Sequence, residues 1–478
     1  MTEYFLDMKT AGILLGIFSV LWIALGWYLG RNNQNLDDYM LAGRKVGLAL
    51  GTATIMATWV TSNTTLVAPQ LAYQMGIWGM IGYSLGSVGL FLFAPLSARI
   101  RKLMPNGFTS GDFIRIRYGN AVWRVFLVIS IVYGLGWLVS LGMAGGKLIH
   151  ALSGIEYWIG TSVILGICVA YTMLGGLRAV IGTDFIQTVV IISGIVILGF
   201  ISWKSIGIKE IHSDLLEKRP ELLNLLMPAA LMFLFNNLLF GVGEIFHSNV
   251  WWSRALAFEK GVGFRAYFLA GIFWAPVPVA AGFIALAGPS LGLNVASPDM
   301  IAPVVASSLL GYGGTLLIFI VIFSALASSV DSVLAATSDL ITEDIYRKHI
   351  RPAAGREEMQ KAALAVTGLL GFFVWILSLM NSADLASVLH FTGALVASTI
   401  WPVAAGLYWK KASRFGALFG MILGSAAGLT AYFSIGFYVA SLVGAFVSMT
   451  AVILFRFLTP ESFEFRRLSE NSFGGSSS

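Results

Sequence analysis

Four polar residues stand close together in an otherwise apolar run: Ser328, Ser329, Asp331 and Ser332, inside the stretch Ser324–Tyr346. At about 100° per residue, Ser328, Asp331 and Ser332 (i, i+3, i+4) share one helical face, with Ser329 beside it. Hard oxygen ligands on one face suit a small hard cation such as Na⁺. The plainer reading of the serines is helix packing through hydrogen bonds. Asp331 weighs against it, because a carboxylate in a membrane span is costly unless it faces the bundle interior and finds partners. Two other carboxylates lie inside apolar runs, Asp184 and Glu244. Counting from the nearer span end, Asp184 lies roughly 12 Å deep and Ser328–Ser332 roughly 15 Å deep, nearly one level.

Two apolar runs that would position such residues are interrupted. The first break is Ala57-Thr-Trp-Val-Thr-Ser-Asn-Thr-Thr65, polar and β-branched halfway along a span. The second is Gly241-Val-Gly-Glu-Ile-Phe-His-Ser-Asn249. Each opens a five-helix half if the first span is set aside, and breaks in matching places of two halves mark a transporter's midplane site. Thr61, Asn63 and Thr64 offer the mixed donors and acceptors a neutral polar solute needs, or else cap freed backbone. Glu244 can accept hydrogen bonds from an amine or amide, neutralise His247, or cap the break. Trp59, Trp137, Trp251 and Trp252 could form an aromatic box for a quaternary amine. Trp251 and Trp252, near a span end, read as membrane-interface anchors. Arg178 and Arg254 read as topology anchors, and His390 as a packed, hydrogen-bonded histidine.

Composition sets the class. The 478 residues are 57% hydrophobic and 11% charged, against about 25% charged in a soluble domain. This is an all-α polytopic membrane protein with about 13 spans, each needing about 20 apolar residues. With the N-terminus outside and the C-terminus cytoplasmic, 24 of the 30 Lys and Arg fall on the cytoplasmic side, as the positive-inside rule requires. The net charge of +6 follows from those loops and does not indicate nucleic-acid binding. The single cysteine, Cys168, permits no disulfide within the chain. The short acidic start, Met1–Asp7, lacks the basic pattern of a cleaved signal peptide, and Gly474–Ser478 reads as a cloning remnant. Residues 204–224 predict a surface amphipathic helix, and residues 107–118 an interfacial helix capped by Ser110.

The chain resembles the sodium:solute symporter family over nearly its whole length. The resemblance is carried by Asp38-Tyr-Met-Leu-Ala-Gly-Arg44, Gly175-Gly-Leu-Arg-Ala-Val-Ile-Gly-Thr-Asp-Phe-Ile-Gln187 and Ser328-Ser together with Thr342-Glu-Asp-Ile-Tyr346. It implies a leucine-transporter-type fold of two inverted five-helix repeats, with one extra N-terminal and two extra C-terminal helices. The boundaries then fall at 1–46 (extra helix and cytoplasmic loop), 47–203 (first repeat), 204–224 (extracellular loop), 225–409 (second repeat), 410–457 (two C-terminal helices) and 458–478 (cytoplasmic tail). The implied activity is uptake of a small solute across the plasma (inner) membrane, driven by the Na⁺ gradient. The implied main sodium site is Ala57, Val60, Ala325, Ser328 and Ser329. Some members resemble one another in a second cation site, onto which Asp184, Asp331 and Ser332 fall. Many members have Ser where this chain has Asp331, which leaves Na⁺ or H⁺ as the second occupant.

Ala57-Thr-Trp-Val, Leu92-Phe-Ala-Pro-Leu-Ser-Ala-Arg-Ile-Arg101 and Trp252-Ser-Arg-Ala255 look most like urea- and choline-type members. The expected solute is therefore urea or a similarly small amide or amine, with proline, choline or a sugar as alternatives. The substrate candidates are Thr61, Asn63, Thr64, Trp137, Glu244 and His247. Na⁺ is the expected coupling ion, with no other cofactor. The partners are the solute and the lipid bilayer. An enzyme is disfavoured, because there is no metal spacing, phosphate loop or Ser/His/Asp set. An ion or solute channel is the rival from another class, but the carboxylates sit on different helices and form no ring around a pore.

Overall fold

A computed structural model describes residues 5–31, 36–205, 207–293, 295, 297–381 and 383–470. Among these the secondary structure is helical, apart from one isolated bridge between Val46 and Phe258. Among the described residues eleven helices are long and apolar enough to cross a membrane. The expected count of about 13 differs from this for two local reasons. Residues 48–75 form two short pieces, Leu48–Trp59 and Ser62–Met75, instead of one span. The expected spans 156–174 and 177–203 run together as Tyr157–Ser205 around a corner at Gly176, whose φ of 57° puts it in the region that favours glycine.

The centre of the bundle is the helix Ile301–Ile341, which continues as a π-helix over Thr342–Ile350. From Val321 to Leu340 every residue is buried. Leu48–Trp59, Ser62–Met75, Asn120–Ser153, Tyr157–Ser205 and Asn249–Ala257 pack around it. An amphipathic surface helix buries one stripe; one enclosed on all sides is apolar throughout or carries polar groups that find partners inside. That is why its serines and Asp331 sit so deep.

Close helix approach elsewhere depends on small residues. A methyl on Gly241 would stand 2.5 Å from Gly86 Cα, so the Pro228–His247 helix can meet residue 86 only as glycine. The predicted amphipathic helix is present as Ile208–Lys218. The predicted interfacial helix is Ser110–Tyr118, but its cap is Thr109, not Ser110. Thr109 Oγ1 accepts from Asp112 N–H and the Asp112 carboxylate accepts in return from Thr109 N–H, a capping box that Ser110 is one residue too late to make. Residues 471–478, including the expected cloning remnant, and Met1–Tyr4 lie outside the described residues.

Candidate functional site

The first interruption is a chain break; the second is one only at Ser248, and residues 241–247, Glu244 among them, stay helical. The first helix stops at Trp59; Val60 leaves the helical region with ψ at 71°, and Thr61 begins the next helix as its N-cap. The groups this frees are satisfied locally. Trp59 carbonyl accepts from Thr64 Oγ1 (2.7 Å) and from Trp274 Nε1 (2.7 Å), and Thr61 Oγ1 accepts from Thr64 N–H (2.9 Å). Thr61 and Thr64 are therefore bound into the break as backbone caps. The second helix stops at His247 and restarts at Asn249, with Ser248 extended between them and capping Val250 N–H.

The buried serines of the central helix meet the first break. Ser328 Oγ donates to Ala57 carbonyl (3.0 Å) and Ala325 carbonyl (3.1 Å). Ser329 Oγ lies 2.9 Å from Ala325 carbonyl and 3.4 Å from Thr58 carbonyl. The structure thus brings Ala57, Ala325, Ser328 and Ser329 together. Val60 stands at the mouth of the same break. The set is neutral oxygen throughout, and a hydroxyl that now donates can rotate to present a lone pair. Such a cluster fits one monovalent hard cation without stranding charge.

One helical turn along, the arrangement is ionic. Arg254, expected as a loop anchor, is fully buried. The short helix after the second break carries it inward. There its Nη2 donates to Thr58 Oγ1 (2.6 Å), Ser332 Oγ (2.7 Å) and Asp184 Oδ2 (3.2 Å), and its Nε donates to Thr54 Oγ1 (3.0 Å). Asp184 and Ser332 therefore share one guanidinium. Asp331 lies apart from that contact: Tyr171 hydroxyl donates to its Oδ2 (2.7 Å), while its Oδ1 has no hydrogen-bond partner. Arg254 stands six residues after the break at Ser248; its reach inward was not legible without the break's angle. Trp251 and Trp252, expected as interface anchors, are also fully buried, because the same short helix is enclosed by its neighbours.

A third group of side chains lies along one stripe of Asn120–Ser153. Ser130, Tyr133, Trp137 and Ser140 fall at i, i+3, i+7 and i+10, one helical face. Ser140 Oγ donates to Asn63 Oδ1 (3.2 Å), at the first break. Ser130 Oγ is 3.0 Å from His247 Nε2, at the second. Trp137 packs on Tyr133 with centroids 5.6 Å apart, and Glu244 lies beside Tyr133 and Tyr83. Trp59 packs at a tilt against Trp251 (centroids 5.0 Å apart) and Trp274 (5.1 Å). Several polar atoms here are buried without a hydrogen-bond partner: Asn63 Nδ2, Glu244 Oε1, His247 Nδ1, Tyr133 hydroxyl and Trp251 Nε1. Tyr133 and Trp274 were missed from the sequence; Tyr133 was findable four residues before Trp137. His390 is packed and hydrogen-bonded as expected, its ring nitrogens 2.8 Å from Ala386 carbonyl and 3.1 Å from Asn237 Oδ1.

A family model for sodium:solute symporters matches residues 39–424. The chain belongs to the sodium:solute symporter family. Named relatives include a urea-proton symporter of Oryza sativa subsp. japonica, 27% identical over 85% of this chain and 62% of its own length. Another is an osmoregulated proline transporter of Bacillus subtilis (strain 168), 24% identical over 91% of this chain and 94% of its own. The chain thus spans about three fifths of the length of the rice relative. A Na⁺-coupled sialic acid symporter in a substrate-bound outward-open state has a similar fold, with a TM-score of 0.80 at 18% identity, covering 95% of this chain and 99% of that one. The expected membership in this symporter family, and the expectation of a transporter over an enzyme, are borne out by these matches. The matched residues include both breaks and the central helix.

Proposed function

We propose that this symporter family member couples inward movement of Na⁺ to uptake of a small polar solute by alternating access. It would lie in the plasma (inner) membrane with its N-terminus outside and C-terminus cytoplasmic. The proposed frame is thirteen crossings, two inverted five-helix repeats at 47–203 and 225–409, and one extra helix before and two after. The observation that carries the reading is the bridging of the first break to the central helix by Ser328 and Ser329. Na⁺ held among Ala57, Val60, Ala325, Ser328 and Ser329 would fix these two elements in one arrangement. A solute that contacts the same break then binds better to that arrangement, which is what coupling requires.

The solute proposed is urea or a similarly small amide or amine. The orphaned groups at the stripe support it: Glu244 can accept N–H bonds, while Asn63 Nδ2, Tyr133 hydroxyl and Trp251 Nε1 can donate to a carbonyl. Buried polar atoms without partners are rare and cost about 1–3 kcal/mol each, so a ligand that pairs them is favoured. A Na⁺-dependent thermal-shift screen, followed by proteoliposome uptake of urea, proline, choline, sugars and sialic acid, tests this. Uptake of proline and not urea would overturn the solute assignment and keep the symport. Flux indifferent to Na⁺ would overturn the symport itself.

The second cation site is proposed at Asp331, beside Asp184 and Ser332, with H⁺ as its occupant. Arg254 already neutralises Asp184, and Asp331 Oδ1, buried without a hydrogen-bond partner, can take a proton. Asp331→Asn is expected to abolish any pH dependence of the reversal potential. An unchanged pH dependence in that variant removes the proton from Asp331.

A further inference from the structure

A cavity of about 660 Å³ opens where the helix Met8–Gly30 ends, between it, the approach to Leu48–Trp59 and the limb that follows Gly176. Three cations line it: Arg31, Lys45 and Arg178. The two carboxylates that also line it, Asp37 and Asp38, are already engaged. Asp37 takes both oxygens to Arg44 at 3.2 Å, and Asp38, like Arg178, has a partner. Arg31 and Lys45 are exposed and have no acidic partner among the described residues; Arg31 lies over the Tyr28 ring, 4.0 Å from its centre. The remaining wall is apolar, and its outer members Tyr28 and Leu50 are 52% and 42% exposed, as residues facing lipid would be.

An apolar wall and two exposed cations, Arg31 and Lys45, at the end of membrane-spanning helices, are the conditions under which a basic pocket takes an anionic headgroup. We propose that this pocket binds the phosphate of an anionic phospholipid in the adjoining leaflet, with Arg31 and Lys45 as its charge partners and Arg178 behind them. The leaflet is the cytoplasmic one if the orientation proposed above holds; the binding itself does not depend on it. The lipid would clamp the first helix to the corner at Gly175–Gly176, which it already touches closely: a methyl on Gly30 would run into Gly175 Cα. Asp184 lies two turns beyond that corner.

The test titrates the purified full chain in detergent with phosphatidylglycerol and, separately, phosphatidylcholine, read by native mass spectrometry. Arg31→Gln/Lys45→Gln is the variant. Both side chains are exposed and have no acidic partner among the described residues, so its melting temperature in phosphatidylcholine should equal that of the wild type, which checks folding. At the energy one basic residue ordinarily contributes toward anionic lipid, the variant should lose roughly 30-fold in affinity for phosphatidylglycerol. Wild-type preference for phosphatidylglycerol, lost in the variant, supports the site. No preference in the wild type, or full preference in the variant, overturns it. Inorganic phosphate at millimolar concentration should not compete; competition would overturn the lipid as the source of the phosphate. None of these readouts requires transport, so they stand or fall apart from the symport proposal.

Discussion

Ser328 and Ser329 touch carbonyls of a helix 271 residues away in sequence. Each supplies one of the few oxygens in a neutral cluster, and losing a bond to a charged partner costs about 1.5–3 kcal/mol. Ser328→Ala or Ser329→Ala is therefore expected to raise the Na⁺ needed for half-maximal uptake by roughly 10- to 100-fold. Uptake curves against Na⁺ in proteoliposomes check it, and an unchanged half-saturation in both variants sinks the site. Glu244 makes a different prediction. Its Oε1 is buried and unpaired, so a solute N–H is its proposed partner. Glu244→Gln keeps the shape but exchanges one acceptor for a donor. It should raise KM for the solute roughly tenfold or more while leaving Na⁺ half-saturation within about twofold. If both shift together, Glu244 holds the break rather than the solute.

At the scale of elements, Arg254 joins four pieces of chain: Leu48–Trp59 through Thr54 and Thr58, the limb after Gly176 through Asp184, its own helix through Val250 carbonyl, and the central helix through Ser332. Both partners of the Arg254–Asp184 pair are fully buried. Removing one member of such a pair leaves a buried charge and costs about 3–5 kcal/mol, whereas removing both costs far less. Arg254→Gln should therefore lower the melting temperature sharply, and Arg254→Gln/Asp184→Asn should recover most of it. A double variant no more stable than the single one would show that the cation, not the pairing, is what the helices need. The short helix Asn249–Ala257 carries Arg254 to this contact. It is also anchored by Asn249, whose amide donates to Ala336 carbonyl (3.0 Å) and whose oxygen accepts from Ser110 N–H (3.0 Å).

Across the whole molecule, each end of the bundle carries a polar latch between distant segments. At one end Lys348 bridges Asp112 and Asp344, 2.6 Å from each. Burial alone would raise the Asp112 carboxyl, but the Lys348 ammonium and the Phe108 N–H outweigh it and hold it below its ordinary value. At the other end Asp384 accepts from Gln70 Nε2 (2.8 Å), Ser387 N–H (3.0 Å) and Ser387 hydroxyl (2.6 Å), tying Ser62–Met75 to the helix that starts at Leu385. Burial raises this carboxyl too, and the Ser387 and Gln70 hydrogen bonds overcome it, so its folded value lies below the ordinary one. A carboxylate lowered by folding contributes stability that is complete above about pH 3.9 and fades as pH falls through its folded value. Asp384→Asn exchanges the Oδ2 acceptor of the Ser387 hydroxyl for a donor and should cost about 0.5–1.5 kcal/mol at pH 7, and the gap to wild type should narrow as thermal melts are repeated at falling pH below about 3.9. A gap that persists at low pH would place its contribution outside the carboxylate charge.

Much of this was legible in the residues. The two breaks announced themselves, because polar and glycine-rich stretches inside apolar runs have few structural uses. The serines and Asp331 were found by their spacing on one face, and the family by its motifs. The sequence also determined that the chain is a bundle of apolar helices, since 57% hydrophobic residues leave it no other environment. What it could not decide was which charges end up inside. Arg254 follows a run of apolar and aromatic residues and read as a loop anchor; only the angle of the chain at Ser248 turns it inward to Asp184. Trp251 and Trp252 were misread for the same reason. The two limbs at 156–174 and 177–203 were separated in the sequence, but that they meet at Gly176 without a loop was not legible. Periodicity records which face of a helix is apolar, but the direction in which a short helix leaves a break is set by tertiary packing. That direction decides whether Asp184 meets a solvated ion or the protein's own arginine.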